Sequence, residues 1–418
     1  MEEAAPPSLA QATRVFWRIG VMSFGGPAAQ IAVMHKELVE DRPWMTEAEF
    51  LNALSFCMLL PGPEATQMAT YAGWRLHGVR GGLIAGLLFV LPGAAVMLAL
   101  ALGYALWGKL PLVEAAFTGI KAAVVIIVIE ALLRISRKAL RGAGHWLLAG
   151  AAFVAIFFFA VPFPLIILAA GLFGLVTGRD RAPAIPRPRP TGTLATITAW
   201  LAIWWAPVGI AWLSGAEFLT RIGLFFGKLA VVTFGGAYAV LAYMTQAAVS
   251  THGWLTTQQM MDGLGLAETT PGPLILVTEF VGLLAGFGAG GIGLGLAAAG
   301  LTLWVTFVPC YLWIFTGAPY IDWIATRPRL RGALAAITAA VVGVVLNLSL
   351  WFALHVFFTE VTVRTLGPLT LLEPRLASLD WRVAVLAGLA AVLLLRLRWD
   401  LIRVLGLMAL GGLALSAI

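Results

Sequence analysis

Residues 16–81 of this chain recur as residues 226–291, aligned at a constant offset of 210 without a gap. Ser23-Phe24-Gly25-Gly26 returns as Thr233-Phe234-Gly235-Gly236, Trp44-Met45-Thr46 as Trp254-Leu255-Thr256, and Pro61-Gly62-Pro63 as Pro271-Gly272-Pro273. Arg18 stands opposite Lys228, Val39 opposite Val249 and Gly78 opposite Gly288. Shared apolar composition does not return Gly-Gly, Trp and Pro-Gly-Pro in register, so the chain consists of two like-built halves.

Composition fixes the medium. The chain is 61% hydrophobic and 11% charged, where a soluble protein carries about 25% charged residues. Its charges gather between long apolar stretches, which describes an all-α polytopic membrane protein embedded in a lipid bilayer. The net charge of +7 sits in loops flanking those stretches, where it sets orientation, and is no nucleic-acid footprint. Cys57 and Cys310 lie in apolar runs without a CxxC partner, and the five histidines are scattered. No metal site and no cofactor is called for. HExxH, GxSxG and P-loop patterns are absent, which sets aside an intramembrane enzyme and direct ATP drive. Glu2 and Glu3 replace the basic start of a secretory leader, so no cleavable signal peptide is expected.

Four further apolar runs follow each repeated block: roughly 82–107, 112–133, 145–160 and 163–178, then roughly 292–317, 332–357, 383–396 and 399–417. A proline-rich linker at 179–190 and one extra span at about 193–213 join the halves. The expected division is therefore 1–178, a linker with connecting span at 179–213, and 214–418. Six elements per half with an odd span between them leave the second half inverted relative to the first, a recurring plan of secondary transporters. With the N-terminus inside, the inner loops receive Arg134, Arg137, Lys138 and Arg141, then Arg327, Arg329 and Arg331; the outer loops receive few cations, such as Lys36, Arg42 and Lys109. The positive-inside rule thus places the N-terminus in the cytoplasm and the C-terminus outside.

Proline removes a backbone donor and glycine admits conformations that other residues resist, so Gly25-Gly26-Pro27 and Pro61-Gly62-Pro63 each interrupt a helix. Whether these elements are broken spans or re-entrant hairpins is open, with broken spans favoured. Unpaired backbone cannot face lipid, so each break is buried or lines a wet cavity. A half-helix starting inside the membrane aims free N–H groups and a positive dipole end at that cavity, which suits a small anion. One such break is an ordinary kink; matched breaks in both halves point to a transport site.

The candidate anion contacts are Ser23, Gly25, Gly26, Pro61, Gly62 and Pro63 in the first half. Thr233, Gly235, Gly236, Thr269, Thr270, Pro271, Gly272 and Pro273 are their counterparts or neighbours in the second. Arg18 and Lys228 either add positive charge to this site or snorkel to the nearer interface. Glu64 either complements a helix N-terminus or binds a proton during transport, and Glu268 is a second proton-coupling candidate. Lys121 and Glu130 share an apolar segment too far apart for an i,i+4 pair, so each finds a partner on another helix or snorkels. Asp262 and Glu279 are read as interfacial.

Taken together, an FGG element, Val39, Trp44 and a PGP element followed by Gly73 and Gly81 resemble the chromate ion transporter family, in its long two-domain form. The second half repeats most of the pattern through Gly291 and departs at Leu283, which stands opposite Gly73. The resemblance implies efflux of chromate across the bacterial plasma membrane, driven by the proton motive force, with sulfate as a competitor. It also implies oppositely oriented halves. Chromate and sulfate share charge and shape, so the sequence does not rank them. An anion channel is the competing reading, and a homodimer is an assembly the sequence leaves open.

Overall fold

The computed structural model describes residues 7–24, 26–108, 110–178, 192–234, 237–321, 323 and 327–416. Gly25, Gly235, Gly236 and the 179–190 linker lie outside the described residues. Among the described residues, fifteen α-helices run in the order α1 (Leu9–Met22), α2 (Gly26–His35), α3 (Glu47–Cys57), α4 (Glu64–Trp107), α5 (Pro111–Ala139), α6 (Ala143–Phe159), α7 (Phe163–Thr177), α8 (Thr193–Leu213), α9 (Glu217–Val232), α10 (Ala237–Gln246), α11 (Thr257–Thr269), α12 (Val277–Gly317), α13 (Pro328–Phe357), α14 (Trp381–Ala391) and α15 (Leu401–Ser416). The apolar runs read from sequence are the cores of these helices. Five helical segments are long and apolar enough to cross a membrane by length and composition, among them Glu64–Trp107 and Leu274–Tyr320. The outer surface is as apolar as lipid demands: Leu147, Val176 and Leu213 are 75%, 85% and 78% exposed.

The repeat is visible in local structure. Thr46 and Glu49 form a capping box at the start of α3, and Thr256 and Gln259 exchange the same two bonds before α11. A π-turn closes α2 at Lys36–Glu40 and α10 at Ala247–Thr251. After each turn the tryptophan N–H bonds back to a carbonyl, Trp44 to Leu38 at 3.0 Å and Trp254 to Ala248 at 2.8 Å.

At 44 residues, a straight α4 would run about 66 Å, twice the roughly 30 Å hydrocarbon thickness. It folds back instead at His77 and Gly78, where Gly78 takes φ +60°; α12 does the same at Gly290 and Gly291, where Gly291 takes φ +78°. Only glycine adopts such angles without strain. The arms close tightly, Gly73 against the Gly81 carbonyl and Gly286 against Leu294 and Gly295.

These two turns correct the gapless alignment. Gly291 matches Gly78 and Gly286 matches Gly73, each three residues later than the constant offset demands. The extra residues form the 3-10 turn Leu274–Leu276, inserted directly after Pro273. Gly286, not Leu283, is the structural counterpart of Gly73. The helical reading also missed one element: a β-hairpin, β1 (Val361–Leu366) and β2 (Leu369–Pro374), stands between α13 and α14. Its β-branched Val361, Thr362, Val363 and Thr365 favour extended backbone, and Gly367 turns it with φ +60°.

Contacts group the chain into two compact units, each drawing on both halves. The first comprises residues 1–101, 179–237 and 270–330. In it, α12 packs against α8 and α9. Trp204 donates its indole N–H to the Val305 carbonyl at 2.9 Å, and Trp304 donates to Ile203 at 3.0 Å.

The second unit comprises residues 102–178, 238–269 and 331–418. Its centre is α5, which packs against α11, α14 and α15. Small residues set the closest crossing: a Cβ on Gly119 would collide with the Met408 carbonyl, and one on Gly412 with the Ala115 carbonyl.

Candidate functional site

The site lies within the first unit, where two pairs of interruptions meet. Helix α1 ends at Ser23, whose hydroxyl donates back to the Ile19 carbonyl at 2.6 Å; α9 ends at Thr233, whose hydroxyl donates to Leu229 at 2.7 Å. Each leaves its own carbonyl free to accept a bond from the Pro-Gly-Pro of the other half. Gly62 N–H donates to Thr233 O at 2.8 Å, and Gly272 N–H donates to Ser23 O at 2.7 Å. Gly62 and Gly272 take φ +116° and +83°, which the turn between two prolines requires and a side chain resists.

Around this exchange lies a narrow hollow. Its walls come from both halves: Pro27 and Ala237 and Pro63 and Pro273 stand at matching places, Glu64 and Ala65 come from the start of α4, Leu274 and Ile275 from the inserted turn, and Gln30 is added. It accommodates little more than a water. Glu64 opens α4 at its rim and is half-buried. The first backbone N–H groups of α4 have no partner within the helix, and an acidic side chain at that end complements the dipole.

Two glutamines complete the site, and the reading of the sequence passed over both. Gln30, 1% exposed, donates Nε2 to the Gly272 carbonyl at 2.7 Å, and Gln67 donates Nε2 to Pro61 at the same distance. Their Oε1 atoms are buried and accept no hydrogen bond among the described residues. An amide inside an apolar segment beside a break was the available signal, because such a group enters a membrane interior only to hydrogen-bond.

The other candidates distribute as follows. Gly26 (φ +80°) starts α2. Pro271 packs its carbonyl where a Cβ on Gly93 would go. Thr270 is buried, and the Thr269 hydroxyl donates to Leu266 at 2.8 Å. Arg18 does not line the hollow; its guanidinium pairs with buried Glu37 at 3.2 Å, and Glu37 also holds Arg42. Lys228 is exposed on α9. Glu268 belongs to the second unit, where it accepts the Tyr238 hydroxyl at 3.0 Å.

Three charge expectations are corrected. Asp262 and Glu279 are not interfacial: they are 3% and 1% exposed. Asp262 is buried because it finds a cation, Lys121, 3.5 Å away on α5. Glu279 carries an Oε2 that accepts no hydrogen bond among the described residues. Among the described residues, Glu130 finds its ion pair on its own helix, with Arg134 one turn along α5 at 2.5 Å.

Comparison with known proteins decides the family. The chromate transporter family profile matches residues 10–175 and 220–414, one stretch in each half. The chain belongs to the chromate transporter family. It is 30% identical over 361 residues to the probable chromate transport protein of Synechococcus elongatus, covering 82% of this chain and 84% of that one. It is 30% identical over 354 residues to the chromate transport protein of Cupriavidus metallidurans, covering 81% of each chain. It is 32% identical over 350 residues to the chromate transport protein of Pseudomonas aeruginosa, covering 82% of this chain and 81% of that one. No solved structure matches it. Membership of a transporter family and its apolar helices make the chain a multi-pass membrane transporter with an oxyanion substrate.

Proposed function

We propose that this chain exports chromate from the cytoplasm, driven by the proton motive force, and that the hollow between the crossed breaks is where the anion binds. The reciprocal bonds Gly62–Thr233 and Gly272–Ser23 carry the reading. They bring equivalent helix ends of two like halves to one spot, the arrangement that inverted-repeat transporters use for a substrate carboxylate or ion. In this reading the halves are oppositely oriented, the N-terminus is cytoplasmic and the C-terminus lies outside. Chromate and sulfate compete for the site.

The ligands in this reading are backbone N–H groups at the start of α4 and after Pro273. The Ser23, Thr233 and Thr269 hydroxyls are already spent on their own helices. Glu64 supplies the coupling. A carboxylate at the rim repels a dianion, so the anion enters when Glu64 is protonated, and each ligand raises the affinity for the other; proton and dianion leave together with one net negative charge, which the inside-negative membrane potential drives outward. The hollow is too narrow for a tetrahedral oxyanion as it stands, so binding separates the helix ends, and alternating access follows from which side they part on.

Uptake of labelled chromate into inverted vesicles tests the reading. Accumulation against a gradient, abolished by an uncoupler and reduced by sulfate, is expected. Passive flux indifferent to uncoupler would establish the channel alternative instead.

A further inference from the structure

Among the described residues, Lys121 is the one lysine or arginine inside the buried core, 7% exposed. It sits in the second unit, in the middle of α5, facing Asp262 of α11. Asp262 holds two donors at once: Lys121 Nζ lies 3.5 Å from Oδ1, and the Tyr104 hydroxyl donates to Oδ2 at 2.7 Å. The ion pair is long, and among the described residues Oδ1 accepts no hydrogen bond. The approach of the helices is fixed beside it, where Gly265 of α11 leaves no room for a Cβ against Ile120.

As a stabilising device this cluster is poor. Desolvating two charges costs more than a long pair returns, and an apolar pair of similar volume does as well or better. As a binding device it makes sense, because an ammonium and a phenol hydroxyl converging on two carboxylate oxygens are the donor set an oxyanion needs. Intramembrane ionisable residues mark ion pathways and proton relays.

We infer that Lys121 and Tyr104 form an oxyanion subsite in the second unit, and that Asp262 is its resident substitute ligand, released from the pair when its carboxylate takes up a proton. The inference rests on the transport reading above and extends it. Protonation neutralises Asp262 and leaves the Lys121 charge uncompensated; the incoming oxyanion compensates it. When the anion departs, the proton leaves and the carboxylate returns to Lys121. Proton and anion therefore bind and leave together at one cation, which couples their movement.

The charges around the cluster are few. Glu114 and Asp380 also act on Lys121. Of the elements packed on α5, α11 adds Glu268, bonded to Tyr238. The others bring Arg382, which is half-buried, and Arg396 and Arg403, which are exposed.

The decisive variant is the apolar double replacement Lys121→Met with Asp262→Leu, assayed for chromate uptake in inverted vesicles. A structural ion pair tolerates it; a working subsite does not. Uptake is expected to fall more than about tenfold with membrane insertion intact, as loss of a buried charge contact to a ligand implies. Lys121→Arg should keep measurable uptake. Uptake by the double variant equal to wild type overturns the inference and leaves the hollow as the anion site. Absence of uptake by the wild type overturns the transport reading and this inference together. If the double variant does not insert, Asp262→Asn decides: a flattened pH profile of uptake supports the subsite, and an unchanged profile overturns it.

Discussion

Gly62 lends its backbone N–H to the Thr233 carbonyl at 2.8 Å, across 171 residues of sequence, and Gly272 repeats the bond to Ser23 at 2.7 Å. Each half thus completes the other's interruption. A carbonyl at a helix end and an N–H in a proline-bracketed turn are both orphans by local rules. In an apolar medium each unsatisfied group costs several kcal/mol, so the helix ends part only where the anion or water takes over the bonds they lose.

Replacing Gly62 or Gly272 by alanine is therefore expected to damage the site twice. The positive φ costs about 1–2 kcal/mol for a residue with a Cβ. At Gly62 the new methyl also meets Gln67 Nε2 at 2.9 Å. Chromate uptake by either variant should fall well below wild type while membrane insertion persists, measured in vesicles matched for protein content. Alanine at Gly388, which has open space around it, should be silent.

Glu64→Gln keeps the shape of the rim and removes its titration. Uptake by this variant is expected to show a flatter pH dependence than wild type, with Asp262 supplying what remains and chromate still bound. The measurement is initial uptake rate across a pH series; a profile unchanged from wild type would show that Glu64 only complements the α4 terminus.

His35 gives a pH effect on stability that is separate from transport. Its ring bonds Glu47 at 2.6 Å and Glu40 at 3.1 Å in the loop after α2. The bond to Glu47 foremost raises its pKa above the ordinary value of 6.5, against a smaller opposing effect of burial. A group whose folded pKa is raised stabilises fully below its unfolded value. That contribution disappears as pH rises through the folded value. The thermal midpoint of detergent-solubilised protein should lose a small increment as pH rises above the ordinary value of 6.5, and His35→Gln should remove that increment.

Packing at the α5–α15 crossing is equally testable. Leucine at Gly119 would drive its side chain into the Met408 carbonyl. Overpacking of this kind costs typically about 1–3 kcal/mol, so Gly119→Leu is expected to lower the thermal midpoint or to prevent insertion. The same change at Gly144, with nothing near its Cβ position, should not.

The spans, the breaks and the pairing of the halves were legible because apolar runs, prolines and repeated Trp and Gly positions carry those features locally. What the sequence hid was distributed. Gly78 pairs with Gly288 and Gly81 with Gly291 at the constant offset, so a three-residue slip leaves identities on both sides and no visible gap; only the turn angles at Gly78 and Gly291 reveal it. Asp262 read as interfacial because its partner, Lys121, is 141 positions away on another helix. Gln30 and Gln67 drew no attention because neither is charged, yet they hold the carbonyls that the prolines leave exposed. The interleaving of both halves into each compact unit is likewise a matter of long-range contact that no window of sequence contains.

The most direct test fills the hollow. Ala237, 8% exposed, lines it opposite Pro27 and makes no polar contact that a larger side chain would lose. Chromate accumulation in inverted vesicles carrying Ala237→Phe is expected to be abolished, with the protein still inserted in the membrane. Accumulation by this variant at the wild-type rate would place the anion elsewhere and contradict the assignment of the crossed breaks as its binding site.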